Sequence, residues 1–503
     1  MDVRMNSIKL ESVTAEVVSA AVAEGVIDIP ESVPKVSRIL WSTAKIVDMD
    51  TICKEAKLEV KATVDFTVVC MGEDGMIYSV EARTDFGHDM NFPASKDGMR
   101  ADVKGLCQPV ECRITSDGKV GVKTVVELTG DLFERGALET ATIDYGSDVE
   151  CRTNSISWTT QSVHAKGVNT LRQDVRIPDG MPEIESVLTK DAHFMVDEVK
   201  TERGEAIVNG RLALNVLYSC EGGVKQAKFT VAGEVAVNDE GITPGAAAFA
   251  LAEVRDLEIK TYEDEMQRRS ILAIETPVAV TLVQEVPGKD EVLEDAFGIY
   301  APVTLTTHAV ELYQPMVVLE PSSREFQGKV ALEGQFSGEA EACMGEATVE
   351  TVTASDDMIT VSGRVHAVLW SADGNECATG HVPFSCEVPA KDLKAADAMV
   401  RCNATLTSVL SYQDAEGDVH MQGNVSIKGY YKNMETVRLV SGIEEGELYV
   451  DDNKPLMLAI AQEGDTPWDL AKRCRVSMED LIALNPGIEE GIKSGQAVVA
   501  CRK

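Results

Sequence analysis

Three stretches of the chain alternate between apolar and polar positions and then run into turn-forming residues. They cover residues 60–70, 206–218 and 358–370, and glycine-containing turns follow at 72–75, 221–223 and 373–375. Such alternation has the period of a β-strand, and Gly next to Asp, Asn or Glu favours a tight reversal of the chain. We therefore predict three β-hairpins.

These hairpins belong to a longer internal repeat. Residues 33–40 resemble residues 181–188, and the two prolines are 148 positions apart (182 − 34). The second and third hairpins share the pattern V-x-G-R followed by V-L-aromatic-S, and a further set of alternating strands follows each hairpin. Short strands with turns at this density are typical of β-sandwiches. We predict a mainly β fold with a 1–32 N-terminal segment (a short amphipathic helix or a leading strand), three tandem β-sandwich-like repeat domains at 33–165, 181–315 and 318–442, and an acidic linker at 443–454.

The final segment, residues 455–503, has a different pattern: strand, helix, helix, strand. Thr466 is placed to cap the first helix in a capping box, and Ser477 repeats the arrangement for the second. The second helix is stopped by Asn485 and Pro486. We predict a small βααβ module.

Composition excludes several classes of function. The chain has 47 basic and 83 acidic residues and a net charge of −36. Binding to nucleic acid needs a basic face, so we expect no nucleic-acid partner. There is no apolar signal-like stretch near the first residue and no apolar run of membrane-spanning length, which predicts neither secretion nor a transmembrane segment. The twelve cysteines are spread singly, which favours buried free thiols over a metal site.

Catalytic motifs are absent from the sequence. It has no nucleophile elbow, phosphate-binding loop, HExxH or dinucleotide fingerprint, and its seven histidines are scattered singly. We predict no enzymatic activity, no cofactor and no metal. An enzyme of an unrecognised kind would instead cluster polar residues in one deep pocket.

The C-terminal segment resembles a LysM module. The hallmarks of that family are GDT before the first helix and NP after the second, and here they are Gly464-Asp465-Thr466 and Asn485-Pro486. The first strand departs from the family, because aliphatic residues replace its usual aromatic residue. The resemblance implies two loops, at 464–466 and 485–488, that line a shallow groove for N-acetyl groups of glycans.

Other interpretations of the same residues stay open. Thr466 and Asn485 are required to cap and stop helices even without a ligand. A protein partner is the other alternative, and Trp468 is then the best candidate for a contact residue. The candidate partner- or glycan-binding residues are Gly464, Asp465, Thr466, Trp468, Asn485, Pro486, Gly487 and Ile488.

Three β-rich repeats ahead of one LysM resemble the clostridial spore-coat morphogenetic proteins of the SipL type, in which SPOCS domains precede a LysM domain. The resemblance implies a non-enzymatic scaffold or adaptor in the mother-cell cytoplasm, at the forespore surface where the spore coat forms. Its LysM is expected to bind a coat morphogenetic protein, the coat-basement ATPase. The alternative is a protein that binds peptidoglycan, through N-acetylglucosamine glycans of the spore or cell wall.

Overall fold

The computed structural model describes residues 2–144, 148–334, 336–337, 340–450 and 456–502. Antiparallel strands dominate these residues, and their pairing divides the chain into three units of similar topology followed by a C-terminal module. The predicted mainly β fold is confirmed.

Unit 1 is built from two sheets. β1 pairs with β7 along its whole length, and β5 and β6 line the other side of β7. β2, β3 and β4 form the second sheet, and the apolar face of each sheet turns inward onto a shared core. The strands are β1 (Asp2–Ile27), β2 (Val36–Lys54), β3 (Lys57–Gly72), β4 (Ile77–Asn91), β5 (Arg100–Cys107), β6 (Glu111–Ile114) and β7 (Val120–Asp144).

Unit 2 repeats this plan. β8 runs along one side of β14, while β12 and β13 line the other, and β9, β10 and β11 form the second sheet. The strands are β8 (Val149–Arg176), β9 (Ser186–Glu202), β10 (Glu205–Cys220), β11 (Gly223–Asn238), β12 (Ala247–Val254), β13 (Glu258–Glu263) and β14 (Arg269–Gly298).

Unit 3 follows the same plan with interrupted strands. β16 and β17 line one side of β23 and β22 the other, β18 to β21 form the second sheet, and β15 pairs with β24. The strands are β15 (Val303–Tyr313), β16 (Val317–Val318), β17 (Ser322–Lys329), β18 (Ala331–Glu333), β19 (Ala340–Ser355), β20 (Met358–Ser371), β21 (Cys377–Pro389), β22 (Met399–Gln413), β23 (Val419–Lys432) and β24 (Met434–Glu445), with a 3₁₀ turn at Ala395–Asp397.

The three predicted hairpins are confirmed as β3–β4, β10–β11 and β20–β21. Their first strands are the middle strands of their sheets, and alternate side chains such as Val208, Leu212 and Leu214 point into the core. The periodicity arises because every second residue of a strand faces the same side.

Strand pairing shifts the predicted domain boundaries. The 1–32 segment is mostly β1, so of the two alternatives the strand is found. The boundary at 165 falls inside β8, which hydrogen-bonds to β14 of the second unit. β15, predicted to belong to the 181–315 repeat, pairs with β24, which itself includes the first residues of the predicted 443–454 linker; residues 451–454 lie outside the described part. Periodicity identifies strands but not their partners, which explains these shifts.

At one end of the molecule each unit extends a two-stranded ribbon. The ribbons pair residues 2–13 with 133–144, residues 149–159 with 287–298, and residues 303–313 with 434–445. Each ribbon contacts the other two, and they enclose shared apolar cores that include Ile156, Trp158, Leu312, Leu439 and Val440. Trp158 therefore lies between units rather than inside one sandwich.

At the other end the three hairpins meet. The indole of Trp370 is fully buried, and that of Trp41 packs edge-on against it with ring centroids 6.5 Å apart. Leu188 and Leu217 of unit 2 belong to the same core. Because all three units contribute, the body closes on itself and is not a string of separate domains.

Many polar contacts also join the units, and two of them involve buried charged groups. Glu285 is 2% exposed on β14 and accepts hydrogen bonds from Thr159 (2.9 Å) and the Met316 amide (2.8 Å). Lys432 of unit 3 pairs with the same carboxylate. The buried charge is therefore shared by units 2 and 3.

The second polar contact joins units 1 and 2. His193 Nε2 lies 2.8 Å from Asp191 Oδ2, and Lys45 Nζ of unit 1 lies 3.6 Å from Asp191 Oδ1. The negative charge of Asp191 raises the pKa of His193 despite its burial, and Glu346 of unit 3 acts in the same direction. Lys45 of unit 1 acts in the opposite direction, and the net effect is that folding favours protonated His193.

The C-terminal module contains β25 (Leu456–Ile460), α1 (Pro467–Cys474), α2 (Met478–Leu484), a 3₁₀ turn at Ile488–Glu490 and β26 (Ala497–Cys501). β25 and β26 form a two-stranded antiparallel sheet. The predicted βααβ order is present.

Candidate functional site

The first loop of the module is fixed by helix capping. Thr466 caps α1: its hydroxyl accepts from the Asp469 amide (3.3 Å), and the Asp469 carboxylate accepts from the Thr466 amide (2.9 Å). Pro467 occupies the first turn, where its missing N–H is not needed. The predicted capping box is confirmed.

Asp465 holds the same loop together. Its carboxylate accepts from the Gln462 amide (2.7 Å) and from Arg473 on α1 (2.6 Å). These hydrogen bonds lower the pKa of Asp465. Gly464 beside it has φ of +87°, a conformation that favours glycine. The loop is therefore preformed.

Asn485 fixes the second loop. Its amide nitrogen donates to the carbonyls of Leu481 (2.8 Å) and Val499 (2.7 Å), and its amide oxygen accepts from the Val499 amide (2.8 Å). The side chain thereby ties the end of α2 to β26. Gly487 has φ of +84°, and Ile488 is buried in the module core.

The eight predicted site residues separate by exposure. Gly464, Thr466, Pro486 and Gly487 are exposed, whereas Asp465 and Asn485 are half-buried and bonded within the module. Trp468 and Ile488 belong to one hydrophobic core. The two loops thus offer exposed backbone on a rigid support.

Trp468 makes a contact within this chain. Its indole N–H donates to Asp295 (2.8 Å), and its ring packs edge-on against Phe297, with centroids 5.0 Å apart. Lys472 on α1 reaches the same carboxylate at 2.8 Å, and the Arg152 guanidinium lies 5.5 Å from the indole ring centroid. The module is docked through α1 on the ribbon of unit 2.

The docking contacts lower the pKa of Asp295. Burial alone raises the pKa of a carboxyl group, but hydrogen bonds from Lys472 and Trp468 outweigh it and lower the pKa of Asp295. Sequence reasoning missed Asp295 and Phe297, which lie about 170 residues from α1 with no motif to mark them.

The outer face of the module's sheet is apolar. Leu456, Leu458 and Ile460 alternate along β25 and are 68%, 67% and 54% exposed. Opposite them on β26 are Cys501, Val499 and Ala497. The signal in the sequence is the aliphatic first strand, the place where it departs from the LysM pattern. Exposed aliphatic side chains grouped on one face mark an interaction surface.

Two family models match the chain. The model for the SipL SPOCS domain matches residues 183–261, within unit 2, and the model for the LysM domain matches residues 460–499. The chain carries a SipL-type SPOCS domain and a C-terminal LysM domain. The resemblance to SipL-type proteins is thereby supported by matches to both kinds of domain. No curated protein and no solved structure matches the chain.

The two domain types fit a sporulation protein associated with the coat. SPOCS and LysM domains are non-catalytic binding domains, and LysM domains suggest binding to peptidoglycan or other glycans. None of the helices in the described ranges has the length and apolar character to cross a membrane.

Proposed function

We propose that this protein is a non-enzymatic adaptor of spore-coat assembly, acting at the forespore surface in the mother-cell cytoplasm. Its three units form the scaffold, and its LysM binds a coat morphogenetic protein, with the coat-basement ATPase as the candidate partner.

The observation that carries the proposal is the apolar face of β25. Leu456, Leu458 and Ile460 expose more than half of their surface. Covering them contributes about 4 kcal/mol before the costs of association. Aliphatic side chains offer a sugar ring neither hydrogen bonds nor an aromatic platform, whereas they match the apolar core of a protein interface. This face therefore favours a protein partner.

The docked LysM also suits an adaptor. Trp468 is buried against Phe297, so a partner meets a module held on the body rather than a freely moving one. A pre-organised site loses less freedom on binding. Where other surfaces of the same chain also make weak contacts, the contacts add by avidity on a polymeric partner.

Glycan binding is the second candidate, and a separate surface supports it. The exposed backbone at Gly464, Thr466, Pro486 and Gly487 belongs to the two loops that the LysM resemblance assigns to N-acetyl groups. Because this surface and the β25 face carry different residues, substitutions can separate the two functions.

The test uses the full chain immobilised at equal density and offered either purified coat-basement ATPase or purified peptidoglycan. Leu458→Arg places a charge on the β25 face, and Pro486→Lys changes the second loop. Val168→Arg in unit 2 is the matched control, since Val168 is an aliphatic strand residue that is 57% exposed. Circular dichroism checks that each variant folds.

Capture of the ATPase that is lost in Leu458→Arg and kept in Val168→Arg supports the adaptor. Retention of peptidoglycan that is lost in Pro486→Lys, with no ATPase captured, establishes the glycan function instead. Binding to neither rejects both.

A further inference from the structure

The outer face of the large sheet in unit 1 differs from the matching faces of units 2 and 3. Along β1, Val18, Val22 and Val26 point outward and are 77%, 49% and 59% exposed. Exposed Val125 on β7 and Leu106 on β5 lie on the same side of the sheet. We call these five residues the unit 1 face.

The internal repeat allows a position-by-position comparison. The offset of 148 that relates the first two repeats also relates β1 to β8: Ser19 contacts His88, and Gly167 lies against Ala236, the same pair shifted by 148. Gly210 and Gly363 of the V-x-G-R pattern give an offset of 153 from unit 2 to unit 3.

At most of the matching positions the other units are polar. Val18 corresponds to Lys166, Val22 to Thr170 and Ser323, and Val26 to Asp174 and Gln327, all of them exposed, whereas the buried Leu319 of unit 3 falls at the position of Val18. At these three positions unit 2 has three polar residues, unit 3 has two, and unit 1 has three exposed valines. Retaining the strand does not require valine there, so the valines point to a contact.

The charges around the unit 1 face indicate which partner binds it. The charged residues among the valines balance, with Lys104, Arg113 and Lys123 against Glu24, Glu111 and Glu127, and Glu16 lies just beyond Val18. The whole chain carries −36, so two copies repel each other across most surfaces. At a balanced face, a two-fold axis lets opposite charges of the two copies meet.

We propose that the unit 1 face is a self-association surface that binds the same face of a second copy of this chain. From Val18 to Val26, β1 spans about 27 Å, and three strands are about 14 Å wide. The contact area is roughly 400 Å² per copy, below that of a permanent dimer. The dimer is therefore weak and forms at high local concentration.

Sedimentation equilibrium of the full chain tests this over a concentration series up to about 500 μM. The test variant is Val18→Lys/Val22→Thr/Val26→Asp, which gives β1 the residues of β8 at equivalent positions and so preserves strand chemistry. The control is Val168→Lys, a single charge on the exposed face of unit 2. Near-UV circular dichroism confirms that all proteins are folded.

We expect a dissociation constant in the range of about 10–500 μM for the wild type, little change for Val168→Lys, and association at least about tenfold weaker for the triple variant. Raising the salt from about 50 to 300 mM should strengthen the dimer, because it screens the repulsion between two acidic chains. Leu458→Arg, on the LysM sheet, should leave it unchanged. A wild type that stays monomeric throughout, a triple variant that associates like the wild type, or loss of the dimer in Leu458→Arg would overturn the proposal.

Discussion

Removing one carboxylate should release the LysM from the body. Asp295→Ala leaves the Trp468 indole N–H without its acceptor and Lys472 without its partner. A hydrogen bond to a charged group contributes about 1.5–3 kcal/mol, and a half-exposed ion pair at most about 1 kcal/mol. The docked form should therefore lose about 3 kcal/mol relative to the released form, roughly a hundredfold in the equilibrium constant.

Hydrogen–deuterium exchange of the full chain measures this release of the LysM from the body. Peptides from α1 and from the end of β14 should exchange faster in Asp295→Ala, whereas peptides around Trp370 at the opposite end should not change. Asp295→Asn keeps an acceptor for the indole and loses the charge, so its effect should be smaller, about 1 kcal/mol.

The effect of pH on docking has a definite sign. Because the docked form lowers the pKa of Asp295 below its ordinary 3.8, docking is at full strength above that pH and weakens as the pH falls through the lowered pKa. Unchanged exchange of α1 in Asp295→Ala at neutral pH would refute the assignment of this carboxylate as the docking contact.

Three further predictions concern the body and the LysM. Lys432→Met should destabilise the body by about 3–5 kcal/mol in urea unfolding, since it leaves Glu285 buried without its cation, and adding Glu285→Gln should recover most of the loss; an additive double variant would contradict this. The raised pKa of His193 makes its contribution fully present below pH 6.5 and lost as pH rises through the raised value, and each tenfold tightening of proton binding on folding contributes about 1.4 kcal/mol. Melting temperatures from pH 6 to 9 should therefore fall more in the wild type than in His193→Gln, and parallel curves would be evidence against it. Asn485→Ala removes three hydrogen bonds and should cost the LysM about 2–4 kcal/mol, seen as faster exchange of β26, while the neighbouring Pro486→Ala should not.

Local pattern predicted the elements well. Alternation located the three hairpins, and the capping box at Thr466 located α1, because both depend on neighbours within a few residues. The sequence also predicts that Asn485 ends α2, because that role depends only on neighbouring residues.

Partners distant in the chain could not be predicted in this way. β1 pairs with β7, which lies more than 90 residues away in the chain, and no feature of either strand's sequence identifies its partner. The sequence offers Trp468 as the best candidate for a partner contact, although a tryptophan in the first turn of a short helix is more often a core residue, and in the structure it is buried. The acceptor of its indole N–H is Asp295, one of 83 acidic residues in the chain. No sequence motif marks Asp295, and the tertiary fold brings it next to Trp468.

The closed body joins three similar units in one chain, and this fixes stoichiometry. A ring of three identical subunits would display every surface three times. Here each unit has its own sequence, so among the described residues the LysM sits on the ribbon of unit 2 and the unit 1 face belongs to unit 1 alone. If both surfaces bind as proposed, each molecule joins two others through one site of each kind. The result is a linker of defined valence, which can connect neighbours in a layer without branching.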